Sequence, residues 1–82
     1  MVEASSIEDS IRSKLACTHL EVHGDGAHFE AVIVSPRFAG LNRVRQHQLV
    51  YSALGERMRE EIHALSMKTY SPDEWASHQA GR

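Results

Sequence analysis

Cysteine is nearly absent from this chain. Cys17 stands alone, so no internal disulfide can staple the fold. Its ordinary reading is a small, half-buried residue at the end of a helix, and a lone thiol fits a reducing compartment. Long apolar runs are also missing, and nothing approaches the roughly 20 residues needed to cross a bilayer. The start, Met1-Val2-Glu3-Ala4-Ser5, has neither the basic residues nor the apolar stretch of a secretory signal. Together these features predict a cytoplasmic protein that does not engage membranes. A basic excess is lacking too: the formal charge is −2, which removes the simplest case for nonspecific nucleic-acid binding. There is no repeat, no low-complexity segment, and no length for a second core in 82 residues. One domain over 1–82 is expected, with about 1–4 and 77–82 frayed.

Catalytic signatures are missing as well. No serine sits in a G-x-S-x-G elbow, and neither a P-loop nor a dinucleotide fingerprint occurs. The adjacent carboxylates Glu60–Glu61 and Asp73–Glu74 read as helix-end and helix-cap residues. So small a domain offers little concave surface from which to exclude water. The expectation is a protein that is not an enzyme and has no small-molecule substrate.

What the chain does carry is a clear order of elements. Ser5 and Glu8 have the spacing of a capping box, and Ile7, Ile11 and Leu15 recur every four residues, predicting a helix at about 5–16. His19 to His23 and His28 to Val34 read as strands around Gly24-Asp25-Gly26-Ala27, with Asp-Gly favouring a tight turn. With Asp25 and Gly26 as the two loop residues, Val22 faces Phe29, Leu20 faces Ala31 and His23 faces His28. That register also sets Glu21 against Glu30, a mildly unfavourable pair.

Residues 35–42, punctuated by Pro36 and Gly40, read as a connection. A helix over about 43–60 follows, with an apolar stripe through Val44, His47, Val50, Tyr51, Leu54 and Met58. Gly55 is its weak point. Ile62 to Tyr70 reads as a strand, and Ser71-Pro72-Asp73-Glu74 as a capped helix start. Trp75 is expected to dock that helix on the sheet. The fold class is therefore α/β, in the order α-β-β-α-(α)-β-α. A strand–helix–strand crossover makes the last two strands parallel, giving a mixed three-stranded sheet with helices covering one face.

Six histidines are the compositional oddity. His28 and His63 open the two parallel strands and His23 closes the antiparallel one, so all three fall at one end of the sheet, with Asp25 in the turn. Such a group could form an open metal site, or simply decorate a polar surface. No H-x-x-x-H or C-x-x-C spacing makes a self-sufficient site. His47, on the apolar stripe, reads as a hydrogen-bonded boundary residue. Arg37, Arg43 and Arg45 form a local basic cluster suited to phosphate or to solvent.

The segments Gly24-Asp25-Gly26-Ala27-His28-Phe29, Phe38-Ala39-Gly40, Arg43 to Tyr51, Ile62-His63-Ala64-Leu65-Ser66 and Tyr70 to Trp75 carry a specific resemblance. The chain resembles the BolA family, and within it the short bacterial IbaG-like branch, from about Ile7 to Trp75. That resemblance implies a small KH-like (class II) sandwich. It implies a monothiol Cys-Gly-Phe-Ser glutaredoxin as partner, and a [2Fe-2S] cluster shared with that glutaredoxin and glutathione rather than held by the isolated protein. His63 matches the family's histidine ligand. Some members place a second ligand, a cysteine, where this chain has Asp25; here His28 is the choice for that role, with His23 and Asp25 as alternatives. The family's link to transcription and stress response implies a second reading, a nucleic-acid-binding regulator using Arg37, Arg43 and Arg45.

Overall fold

The computed structural model describes residues 2–62 and 64–81. Helix α1 (Ala4–Lys14) precedes strands β1 (His19–Gly24) and β2 (His28–Val34). A 3-10 turn (Pro36–Phe38), helix α2 (Arg43–Leu54), a short α3 (Arg57–Glu60), strand β3 (Ala64–Tyr70) and helix α4 (Pro72–Ala80) complete the chain. β1 and β2 are antiparallel and β2 and β3 parallel, in the order β1-β2-β3. The expected order of elements and the mixed sheet are both present. The long second helix breaks at Gly55, whose φ of 57° is tolerated because glycine has no Cβ to clash.

The register rows divide the sheet into two faces. Leu20–Ile33–Thr69, Val22–Ala31–Met67 and Gly24–Phe29–Leu65 form the inner face. Against them α1 packs Ile7 and Ile11 and α2 packs Val50 and Leu54, all buried, with Phe38 and Ile62 closing the core. The outer face carries His19–Val34–Tyr70, Glu21–Val32–Lys68 and His23–Glu30–Ser66, with His28 beside Ala64. Helix α4 lies over one end of this face: Trp75 stacks on His19 with centroids 5.0 Å apart and meets Tyr70 at 5.2 Å. Helices thus cover both faces and not one. The Ser71 side chain accepts from Glu74 N, the Glu74 carboxylate accepts from Ser71 N, and Pro72 opens the helix, as that sequence predicts. α4 continues through Ala80.

Three local expectations are corrected. First, the hairpin register is two residues away from the tight-turn reading: Val22 faces Ala31, Leu20 faces Ile33, and His23 faces Glu30 instead of His28. A shift of two keeps every side chain on its face and separates Glu21 from Glu30, leaving Glu21 opposite Val32. Second, α1 begins at Ala4 with Glu3 as an N-cap that makes no side-chain bond; the Ser5–Glu8 box does not form, and Glu8 bonds elsewhere. Third, α2 buries Gln46, Val50 and Leu54, whereas Val44 is 66% and Tyr51 43% exposed. The inward face is set by an amide, Gln46, that the apolar pattern does not register.

Candidate functional site

The end of the sheet that holds the hairpin loop gathers most of the proposed ligands. Asp25 shapes this loop. Its Oδ1 accepts the amides of Ala27 and His28, both at 2.9 Å, while its own N–H donates to the His28 carbonyl at 3.2 Å. The two amide bonds, His28 first, hold the Asp25 carboxyl below its ordinary value. Gly26 takes φ 101° at the tip. This side-chain capture of two amides opens the loop beyond two residues and produces the register above. Asp25 is therefore an organiser of the loop, with one oxygen already committed.

His28 is exposed at the start of β2, and the parallel register sets it beside Ala64. His63, the residue before Ala64, lies outside the described residues. His23 is on the same face as His28, but diagonal to it, because Glu30 takes the place opposite. Its Nε2 lies 3.4 Å from Glu21 Oε1, and His19 Nε2 lies 2.6 Å from Glu21 Oε2. Hydrogen bonds from His19 first and His23 second hold the Glu21 carboxyl low. The alternation His19-x-Glu21-x-His23 puts all three on one strand face, a signal present in the sequence and overlooked in favour of the turn. Among the described residues, no group of three or more His, Cys, Asp or Glu side chains converges as a metal site. His23, Asp25 and His28 do not close into one.

The single thiol is also ill-placed. Cys17 precedes β1, whereas the hairpin loop follows it. Its Sγ donates to the Leu15 carbonyl at 3.4 Å. Burial pushes its pKa up, outweighing the nearby Arg12 charge, which disfavours the thiolate needed for coordination.

A sequence profile for BolA-like protein matches residues 2–74. The chain belongs to the BolA-like family. It is 38% identical over 76 residues to the acid stress protein IbaG of Escherichia coli (strain K12), covering 92% of this chain and 90% of that protein. The DNA-binding transcriptional regulator BolA of the same strain is 33% identical, with 96% and 85% covered. A solved BolA homologue from Coxiella burnetii superposes with a TM-score of 0.84 at 45% identity, covering 93% of this chain and 99% of that one.

Within this BolA-like fold, the three arginines do not act as one patch. Arg43 is absorbed into a network behind the sheet. Its Nη1 donates to Gln46 Oε1 at 2.7 Å and to the Thr69 carbonyl, and its Nη2 lies 3.8 Å from Glu74 Oε2. Gln46, 1% exposed, receives Thr69 Oγ1 at 2.7 Å and donates to the carbonyls of Phe38 and Leu41. Arg37 and Arg45 are exposed, and neither forms an ion pair among the described residues. His47 lies at the boundary as expected, although its buried Nε2 has no hydrogen-bond partner among the described residues. No described helix is long and apolar enough to cross a membrane.

Proposed function

We propose that this BolA-like domain is a non-catalytic adaptor of the cytoplasm. It binds a monothiol Cys-Gly-Phe-Ser glutaredoxin and contributes histidine to a [2Fe-2S] cluster shared with that glutaredoxin and glutathione, in cluster trafficking or in iron and stress regulation. The observation that carries this reading is the position of His28: exposed, at the hairpin end of the sheet, beside the residue that follows His63. Two imidazoles suit half of a cluster's ligand set. The thiolate half must come from outside, because Cys17 is remote in the fold and held as a thiol. Imidazole ligation raises a cluster's reduction potential relative to an all-thiolate set, which is the chemistry such an adaptor would add. His28 and His63 are the proposed ligands. Asp25 is assigned to positioning, since its carboxylate holds the His28 amide, and His23 is the alternative donor on the same face.

The test is anaerobic reconstitution with a Cys-Gly-Phe-Ser glutaredoxin, glutathione, iron and sulfide, followed by visible absorption and circular dichroism. The expected result is a spectrum distinct from the glutaredoxin homodimer, lost in His63→Ala and in His28→Ala. If wild type and His63→Ala leave the glutaredoxin spectrum equally unchanged, the adaptor reading fails.

A second reading, nucleic-acid binding, draws support from the relative named as a DNA-binding regulator and from exposed Arg37 and Arg45. With Arg43 occupied, this surface is thin. It requires steeply salt-dependent DNA binding that Arg37→Ala and Arg45→Ala together abolish.

A further inference from the structure

The sheet has two open edges, and they are guarded unequally. On β1 the outward Val22 amide is taken by Glu8 Oε1 at 3.1 Å. On β3 the direction of each backbone group follows from two bonds. The Tyr70 carbonyl accepts from Ser35 N at 3.0 Å, so it points toward the β2 side. Neighbouring residues alternate in direction along a strand. Ser66 and Lys68 therefore point toward β2 as well, while Leu65, Met67 and Thr69 point their N–H and C=O groups to the open edge. The Arg43 bond to the Thr69 carbonyl agrees with this assignment and guards that one group. Thr69 is buried at 1% exposure, so the free groups of this edge are the N–H and C=O of Leu65 and Met67, beside a groove between α2 and β3, part of which is a cavity of about 380 Å3 lined by Arg43, His47 and Met67 to Tyr70.

We propose that a second copy of this chain fills this edge, adding its own β3 antiparallel about a two-fold axis at Met67 and joining the two sheets into one. The pairing is self-complementary. Met67 faces its own symmetry mate, Leu65 faces Thr69, and Ser66 faces Lys68, so no like charges lie directly opposite. The outer face supplies charge complementarity. Glu30 pairs with Ser66 within one copy, so the row across the seam reads Glu30, Ser66, then the second copy's Lys68. Ser66 is short, and a hollow of about 220 Å3 lined by Glu30, Val32, Ser66 and Lys68 accommodates the incoming lysine stem on its way to the Glu30 carboxylate. Lys68 makes no ion pair among the described residues of its own chain. Symmetry gives two such ion pairs. On the inner side, α2 flanks the seam and presents exposed Val44 and Tyr51, one turn either side of His47 on the same helix face. A single strand pair is small beside a standard interface of about 1,200–2,000 Å2, so the dimer is weak and set by concentration.

The experiment is sedimentation velocity under reducing conditions over about a hundredfold range of concentration, with amide hydrogen exchange at both extremes. The expected result is reversible dimerisation that slows exchange at Leu65 and Met67, whose amides point outward, while Ser66 and Lys68 are protected at every concentration. Lys68→Glu and Glu30→Lys each weaken the dimer by about tenfold, and the two together restore it. Met67→Pro, which removes an outward amide and no bond to β2, abolishes it. A monomer throughout overturns the proposal, as does a dimer indifferent to the charge reversals. Protection of those two amides only on adding a glutaredoxin or a single-stranded oligonucleotide also overturns it, and assigns the edge to that partner.

Discussion

The Glu8 carboxylate accepts the backbone amide of Val22 at 3.1 Å, tying the first turns of α1 to the outer edge of β1. Glu8 would otherwise be free to cap its own helix with Ser5. The edge of β1 offers an amide with no strand partner, and a charged acceptor there satisfies a group that secondary structure leaves open. Glu8→Ala should cost about 1–2 kcal/mol, whereas Ser5→Ala should change stability by less than about 0.5 kcal/mol. Denaturant titration of both variants distinguishes the edge bond from the capping box: equal losses would restore the box.

Gly24 ends β1 where the Phe29 ring crosses it. A Cβ at this position would overlap both that ring and the His28 carbonyl. Phe29 is in the core and 2% exposed, so neither neighbour can yield cheaply. Gly24→Ala should destabilise by about 2–3 kcal/mol through overpacking and shift the loop that presents His28. Thermal unfolding measures the first effect, and loss of the mixed-cluster spectrum the second.

How much of this was legible in the sequence depends on which groups make each feature. The Ser71-Pro72-Glu74 start could be read because every participant is local. The parallel β2–β3 pair followed from chain connectivity. The hairpin register could not be read, because the Asp25 carboxylate competes with the strand ladder for the Ala27 and His28 amides, and the alternating pattern is blind to a shift of two. The face of α2 was misread for a related reason. Apolar periodicity takes Val44 and Tyr51 as core, but the buried position belongs to Gln46, whose amide serves the carbonyls of Phe38 and Leu41. In the candidate site, His28 was located correctly at the sheet end. The placing of His23 directly opposite it failed along with the register, and His23 stays at that end, diagonal to His28.

Arg43 is a structural residue, and this separates it from Arg37 and Arg45. It joins Gln46, the Thr69 carbonyl and Glu74, with its guanidinium 5.9 Å from the Tyr70 ring centroid. Removing it leaves a buried amide and a strand-end carbonyl short of a partner. Arg43→Ala should lower stability by about 1–2 kcal/mol, and Arg37→Ala and Arg45→Ala by less than about 0.5 kcal/mol. Denaturation measured beside any nucleic-acid assay is the check, since a loss of binding in Arg43→Ala bears on the contact only where the variant is still folded.

His47 links stability to pH. Burial first, and the Arg43 charge second, hold its imidazole below the ordinary 6.5, so the folded state favours the neutral ring. The unfolded chain then binds a proton more readily than the folded one, and stability must rise with pH across that interval. As pH falls below about 6.5, stability is lost, and the loss stops once pH drops beneath the folded-state value. Glu74 adds a loss of the same sign in a lower window: its carboxyl is held under 4.5 by the Ser71 amide first and by Gln46 and Arg43 after it. Measurements between about pH 5 and 7.5 therefore exclude the carboxylate loss, and comparison with a His47 variant singles out this imidazole among the six. Over that range His47→Gln should flatten the dependence of unfolding free energy on pH relative to wild type. An unchanged slope would mean that the ring titrates alike in folded and unfolded chains.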